Sequence, residues 1–239
     1  MTEETILIGL IIFLAAFNQG LTGFGFAITS IPLLSLIIDI KEAIPIAALC
    51  GMFLNIYLTI QLRKNIKFND IKLLILGSAF GIPVGAYFLS TADPFIIEKI
   101  LAVIILSFVV LNTTNFIKPN GIENKWGPLF GFASGILGGA FNTNGPPILI
   151  YLYLKDWNKY KQKATITGFF IFASVLIVSS HVITGVTTSH VLTKTLYAFP
   201  FLLAGLLIGS KVFLKISSKV YRKLILLFLL VISIILIIR

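Results

Sequence analysis

The residues best suited to chemistry lie at positions 135–149, which read G-I-L-G-G-A-F-N-T-N-G-P-P-I-L within an otherwise apolar region. Pro146 and Pro147 have no N–H and disfavour helix in the residue before them, and the neighbouring glycines expose the backbone. In hydrocarbon, non-helical backbone is tolerated only where protein buries it or where it lines a water-filled cavity. The stretch therefore predicts a binding site inside a membrane.

The polar groups at this break are uncharged donors, Asn142, Thr143 and Asn144. Asn144 is predicted to cap a half-helix with Pro146 in its first turn, and a helix N-terminus favours an anion. A weaker counterpart, N-Q-G-L-T-G-F-G, occupies positions 18–25, and Ser30 is predicted to start the matching half-helix. The candidate substrate-binding residues at the two breaks are Asn18, Gln19, Gly20, Thr22, Gly23, Gly25, Thr29, Ser30, Gly135, Gly138, Gly139, Asn142, Thr143, Asn144, Gly145 and Pro146.

The sequence lacks the residues that proton relays, cation sites, catalysis or metal binding would require. The hydrophobic segments contain no well-placed Asp or Glu, as a proton relay or cation ring would require, and no nucleophile–base pair for an enzyme. Cys50 is the single cysteine, and neither His181 nor His190 has a partner at metal-ligand spacing. We expect no catalytic residue, metal or cofactor, and we expect both histidines on a solvated surface near an outer loop.

The composition indicates a polytopic all-α membrane protein. Of the 239 residues 57% are hydrophobic, the mean hydropathy is +1.01, and only 12% are charged, against about 25% in a typical soluble domain. The net charge of +10 is typical of basic cytoplasmic loops in a membrane protein. Lipid is therefore expected around the chain, and nucleic acid is not an expected partner.

The elements that must position the two breaks form two similar halves. A long interrupted segment at 6–38 precedes three predicted spans, and a second at 126–154 precedes three more. We predict a first membrane repeat at 1–116, a cytoplasmic linker at 117–125 and a second repeat at 126–239. The six predicted spans are residues 43–62, 71–89, 95–116, 164–183, 194–214 and 219–238.

The halves are also related in sequence. A shift of 115 positions places Gly20 on Gly135 and Pro32 on Pro147, and a shift of 128 places the pair Gly77 and Gly81 on glycines of the second half. Internal duplication of this kind is frequent in transporters. Such glycines also let helices pack closely, which is the simpler interpretation of Gly77 and Gly81.

Charge placement predicts that the halves are inverted. Four clusters, at 63–72, 118–125, 155–163 and 211–223, hold 15 of the 19 lysines and arginines. By the positive-inside rule these clusters are cytoplasmic and both termini are outside. Each long segment is then predicted to enter the membrane and return to the same membrane face. The two segments enter from opposite faces, and their tips are expected to meet in one pocket.

The motif G-xx-GG-xxxxx-GPP at 135–147, its echo at 20–34 and the duplicated plan resemble the sulfite exporter TauE/SafE family over nearly the whole chain. The resemblance implies a transporter of small sulfur-containing anions, such as sulfite or organosulfonates, in the cytoplasmic membrane. We therefore expect a secondary transporter working by alternating access, with a passive anion channel through the same pore as the alternative. The sequence leaves the substrate, direction, coupling ion and oligomeric state open, with a homo-oligomer among the options.

Overall fold

The computed structural model describes residues 3–22, 25–113, 121–155, 157, 159–212, 227, 229–231 and 233–238. Within these ranges the regular structure is helical, which confirms the all-α prediction, and most of the last predicted span (219–238) lies outside them. Short 3₁₀ turns at Arg63–Asn65 and Asn124–Trp126 accompany the helices α1 Glu3–Thr22, α2 Phe26–Leu34, α3 Ile40–Leu62, α4 Phe68–Thr91, α5 Pro94–Thr113, α6 Gly127–Phe141, α7 Gly145–Leu154, α8 Lys159–Ile183 and α9 Ser189–Val212.

Five helices of the described part are long and apolar enough to cross a bilayer. They are α1, α3, α4, α8 and α9, with candidate spans of 18 to 26 residues, close to the roughly 20 residues that a bilayer core requires. The prediction of a multi-pass membrane protein is thereby confirmed. α6 and α7, at 15 and 10 residues, are too short to cross the core alone.

Both predicted interruptions are present. Gly25, with φ of 100°, separates α1 from α2, and residues 142–144 separate α6 from α7. Asn144 occupies the predicted N-cap position of α7, but the predicted cap by its side-chain oxygen is wrong, because that side chain makes no cap hydrogen bond. Ser30 does not start a helix, because the Thr29 N–H already donates to the Gly25 carbonyl and α2 begins at Phe26.

The helices form two compact units that are discontinuous in sequence. Unit 1 comprises Met1–Cys50, Ala92–Thr114 and Thr187–Arg239, and unit 2 comprises Gly51–Thr91 and Asn115–Val186. Unit 1 therefore contains α1, α2, α5, α9 and the first part of α3, and unit 2 the rest. The division into repeats at 1–116 and 126–239 stays a prediction.

In unit 1, α1 packs against α9 at backbone distance. A Cβ on Gly205 or Gly209 would overlap the carbonyl oxygens of Phe13 and Phe17, respectively. A Cβ on Gly20 would lie 2.7 Å from the Leu206 oxygen. These glycines let the two helix backbones touch, as small residues do in membrane helix pairs.

In unit 2, α6 packs against α4 in the same manner. A Cβ on Gly77 or Gly81 would overlap the carbonyl oxygens of Pro128 and Phe132, and one on Gly135 would lie 2.8 Å from the Ser78 oxygen. The Gly77 and Gly81 contacts confirm that these glycines pack helices closely.

The contacts of the two units correspond position by position. Each α9 residue lies 128 positions after its α4 counterpart, and each α6 residue lies 115 positions after its α1 counterpart, the two shifts found in the sequence. The matched pairs are Gly77–Pro128 with Gly205–Phe13, Gly81–Phe132 with Gly209–Phe17, and Gly135–Ser78 with Gly20–Leu206.

Each long segment returns to the end at which it started. In unit 1, Lys194 Nζ lies 2.7 Å from Glu4 Oε1 and 2.7 Å from Glu42 Oε2, which brings together the first turns of α1 and α3 and the second turn of α9. In unit 2, the N–H groups of Gly121 and Ile122 donate to the Leu154 carbonyl. Both segments are thus helical hairpins with a broken tip.

Candidate substrate site

The tip of the first hairpin is closed by two buried amides. Gln19 Oε1 accepts a hydrogen bond from the Phe26 N–H at 3.0 Å, and Asn18 Nδ2 donates to Thr29 Oγ1 at 2.7 Å. The Phe26 N–H is one of the four peptide donors that a helix start leaves without intrahelical partners. Asn18 and Gln19 therefore connect the end of α1 to the start of α2.

The glycines of the first tip have different surroundings. Gly25 has φ of 100°, which favours glycine, and a Cβ there would lie 3.3 Å from Asn18 Nδ2. Gly20 faces Leu206 and Ser210 of α9. Gly23 and the side chain of Thr22 lie outside the described residues.

Ser30 carries an unused hydrogen-bonding group. Its side chain is fully buried in the second turn of α2, and its Oγ has no partner among the residues that the structure describes. Buried hydroxyls are nearly always paired, so this one calls for a partner such as a ligand or water.

At the second tip, the chain ends α6 with a left-handed residue. Asn142 has φ of 49°, its N–H donates to the Gly138 carbonyl at 2.8 Å, and the Thr143 N–H donates to the Leu137 carbonyl at 3.2 Å. The bond from Asn142 to Gly138 is the 5→1 bond of the αL motif, which ends a helix on a left-handed residue that is usually glycine and sometimes asparagine. The backbone alone therefore accounts for an asparagine at position 142.

The start of α7 is poor in peptide donors. Pro146 and Pro147 have no N–H, so Gly145 supplies the one peptide N–H of the first three helical residues. Asn144 makes no side-chain cap hydrogen bond, and its carbonyl accepts one from Ser134 Oγ at 2.6 Å. Sequence reasoning missed Ser134, whose role depends on the fold of the tip and leaves no local signal.

Thr143 is the second tip's unpaired polar group. It is 2% exposed, and its Oγ1 has no hydrogen-bond partner in the described part of the chain. It precedes the N-terminus of α7 by two residues, where the helix dipole is positive. Neither α6 nor α7 contains a charged residue, so the tip combines a positive helix end with neutral donors.

The remaining glycines of the second tip face three different partners. Gly135 and Gly139 lie against the α4 backbone, and a Cβ on Gly139 would overlap the Ile82 oxygen. Gly138 faces Asn144 Cβ and Ile177 Cδ1, both 3.0 Å from a built Cβ. Gly145 is more open, with the Phe170 ring 3.8 Å away.

His181 lies beside this tip, and the expectation of a solvated side chain is wrong. The residue is 0% exposed, and its Nε2 is 2.7 Å from the Gly139 oxygen in the last turn of α6. Helix α8 extends to Ile183, so its final turn packs on α6. His190, at the start of α9, is exposed as predicted.

Comparison with known proteins gives a family but no individual relative. A model of the family described as Sulfite exporter TauE/SafE matches residues 8–236, which covers both hairpins and all five long apolar helices apart from residues 3–7 of α1. No curated protein and no solved structure matches the chain. Among the described residues no three His, Cys, Asp or Glu are grouped to hold a metal ion. The chain belongs to the sulfite exporter TauE/SafE family, a family of membrane transporters.

Proposed function

We propose that this protein is a secondary transporter that carries a small sulfur-containing anion, sulfite or an organosulfonate, across the cytoplasmic membrane by alternating access. The family supplies the substrate class. The observation that carries the proposal is the second tip, where the buried Thr143 hydroxyl has no described partner beside the N-terminus of α7.

The groups at this tip suit a small oxyanion. The Gly145 N–H, the Thr143 hydroxyl and the Asn144 amide can each donate a hydrogen bond, and the α7 dipole places partial positive charge at the same end. Hydrogen bonds to a charged group are worth about 1.5–3 kcal/mol each. A cation would find no carboxylate in α6 or α7.

The first tip contributes a similar group in unit 1, the unpartnered Ser30 hydroxyl on α2. Thr29 is paired with Asn18, and Gln19 with the Phe26 N–H. We propose that Asn18 and Gln19 fix the conformation of the tip rather than bind the substrate directly. A pocket shared by the two tips stays a prediction.

The contacts of unit 2 support one cytoplasmic end. Lys161 Nζ lies 3.4 Å from Asp70 Oδ1 and 3.7 Å from the centre of the Trp157 ring, and Lys155 donates to Asn124. Burial, and then the charge of Lys161, lower the pKa of Lys155. Three basic segments therefore gather at this end, and we propose that it faces the cytoplasm and that both termini are outside.

The matched glycine contacts support the proposed pair of inverted repeats. Helix α4 of the first predicted repeat packs on α6 of the second, and α9 of the second packs on α1 of the first. In this proposal each hairpin is braced by a helix from the other repeat, and the hairpin tips change their exposure during transport.

Thr143→Val tests the proposal in proteoliposomes loaded with sulfite. Valine keeps the shape but removes the hydroxyl, so we expect sulfite flux to fall about tenfold, the equivalent of about 1.4 kcal/mol. Thermal stability should stay equal or rise, because an unpaired buried hydroxyl is unfavourable. Thr195→Val is the matched control, since the Thr195 hydroxyl already donates to the Val191 carbonyl. Unchanged flux in Thr143→Val would reject the proposed site.

The same vesicles distinguish a transporter from a channel. A secondary transporter accumulates sulfite against its concentration gradient when a proton or sodium gradient is imposed. Flux that is only downhill, fast and insensitive to both gradients would identify the passive channel instead.

A further inference from the structure

The buried imidazole of His181 has one hydrogen-bonded nitrogen and one free nitrogen. A carbonyl oxygen can only accept, so Nε2, 2.7 Å from the Gly139 oxygen, carries a hydrogen and donates it. Nδ1 is buried without a partner among the described residues. In the neutral ring Nδ1 is an unused acceptor, and it is the atom that gains a proton when the ring becomes a cation.

The elements around α8 leave this imidazole without a charged neighbour. In the part of the chain that the structure describes, no acidic or basic side chain pairs with His181. The ion pair of α8 with α4, Lys161–Asp70, involves a residue 20 positions earlier, about 30 Å along the helix. The other titratable side chains that the structure describes on α8 and on the elements packed against it are Lys41, Glu42, Cys50 and Tyr57 on α3, Arg63 and Lys64 on the 3₁₀ turn, Asp70, Lys72 and Tyr87 on α4, Tyr151 and Tyr153 on α7, and Lys161 and Lys163 on α8, with none on α6.

The hydrogen bond between His181 and the Gly139 carbonyl places the histidine next to the second tip. Gly139 is in the last turn of α6, three residues before Asn142 begins the break. One turn earlier on α8, Ile177 faces Gly138, which also faces Asn144 at the start of α7. The histidine is therefore fixed to the part of unit 2 that carries Thr143 and Gly145.

We propose that His181 is the proton-binding residue of this transporter, so that one proton accompanies the anion. The inference rests on the proposed function and names its coupling ion. A protonated imidazole without a carboxylate partner is unfavourable in an apolar region, and so is an unaccompanied anion. The positive imidazolium lowers the free energy of placing the anion in this region, and the anion does the same for the imidazolium. Protonation of Nδ1 and anion binding therefore favour one another. No covalent bond changes, and the proton leaves Nδ1 when the anion leaves the tip.

The experiment compares wild type with His181→Gln and His190→Gln in proteoliposomes. The glutamine amide can still donate to the Gly139 oxygen but cannot titrate. Methanesulfonate is the transport probe because its charge is constant over this pH range, with sulfite measured alongside. An acidic outside compartment should accelerate wild-type and His190→Gln uptake at least threefold, and should leave His181→Gln uptake unchanged.

A second readout follows the proton directly. The chain has two histidines, so ¹⁵N-histidine NMR of wild type and His190→Gln assigns the His181 ring. We expect anion addition to move its protonation to higher pH. A ring that stays neutral from pH 5 to 8 with and without anion would overturn the inference, as would the same pH-gradient response in His181→Gln and wild type. Absence of any anion flux in wild type would instead reject the proposed function and the coupling role with it.

Discussion

Two asparagines at the second tip, Asn142 and Asn144, have different structural roles although they are the same residue type. Asn142 adopts φ of 49° and completes the turn that ends α6, whereas Asn144 occupies the N-cap position of α7 and makes no side-chain cap bond. Asparagine tolerates the left-handed region better than other residues with a Cβ. Asn142 thus has a conformational reason for its identity, while the Asn144 amide remains available to a ligand.

Substitutions at Asn142 separate a backbone role from substrate contact. Asn142→Gly should keep both stability and sulfite flux, because glycine adopts positive φ without strain. Asn142→Ala should lower the free energy of unfolding by about 1 kcal/mol, because alanine is strained there. Thermal unfolding and proteoliposome flux check the pair. A glycine variant that is stable but inactive would show that the Asn142 side chain contacts the substrate.

At the scale of elements, the two hairpins share a plan but differ in length. Helices α6 and α7 are about 22 Å and 15 Å long at 1.5 Å per residue, short of the roughly 30 Å core. Helix α1 has 20 residues and is long enough to cross by itself. The second hairpin therefore matches a re-entrant element more closely than the first.

The close glycine contacts between hairpin and brace should be sensitive to a single methyl group. Gly81→Ala places a Cβ against the Phe132 oxygen, so α4 and α6 must separate, at a cost of about 1–3 kcal/mol. Gly209→Ala should have a similar effect in unit 1, where the Phe17 oxygen is the obstacle. Gly145→Ala is the control, since the nearest atom is at ordinary contact distance, 3.8 Å. Equal thermal midpoints for all three variants would contradict this packing.

At the scale of the whole chain, compact units and predicted repeats do not coincide. Each predicted repeat contributes helices to both units, because α4 packs on α6 and α9 packs on α1. Neither predicted repeat contains both partners of either contact. We therefore expect each half expressed alone to leave the glycine faces of α4 or α9 uncovered.

Single cysteines test the proposed orientation in intact cells. In a Cys50→Ser background, a cysteine replacing Glu3 should react with a membrane-impermeant maleimide from outside. A cysteine replacing Lys64, in the basic link before α4, should react only after the membrane is permeabilised. If only the cysteine at position 64 reacted from outside, the true topology would be the reverse of the proposed one. Labelling of both cysteines from outside would contradict the charge-based assignment.

The sequence by itself determined the class of protein, the places where the long segments break, and the family. Those features follow from local chemistry, because prolines, glycines and long apolar runs limit the backbone wherever they occur. Pro32 predicts that α2 starts at Ser30, which is four residues too late, because the left-handed turn at Gly25 lets the helix begin at Phe26. Only the tertiary structure decided that Gly20 and Gly135 face another helix, that Ser134 binds the tip, and that His181 is buried. These outcomes depend on which helices meet, and no window of sequence contains both partners of such a contact.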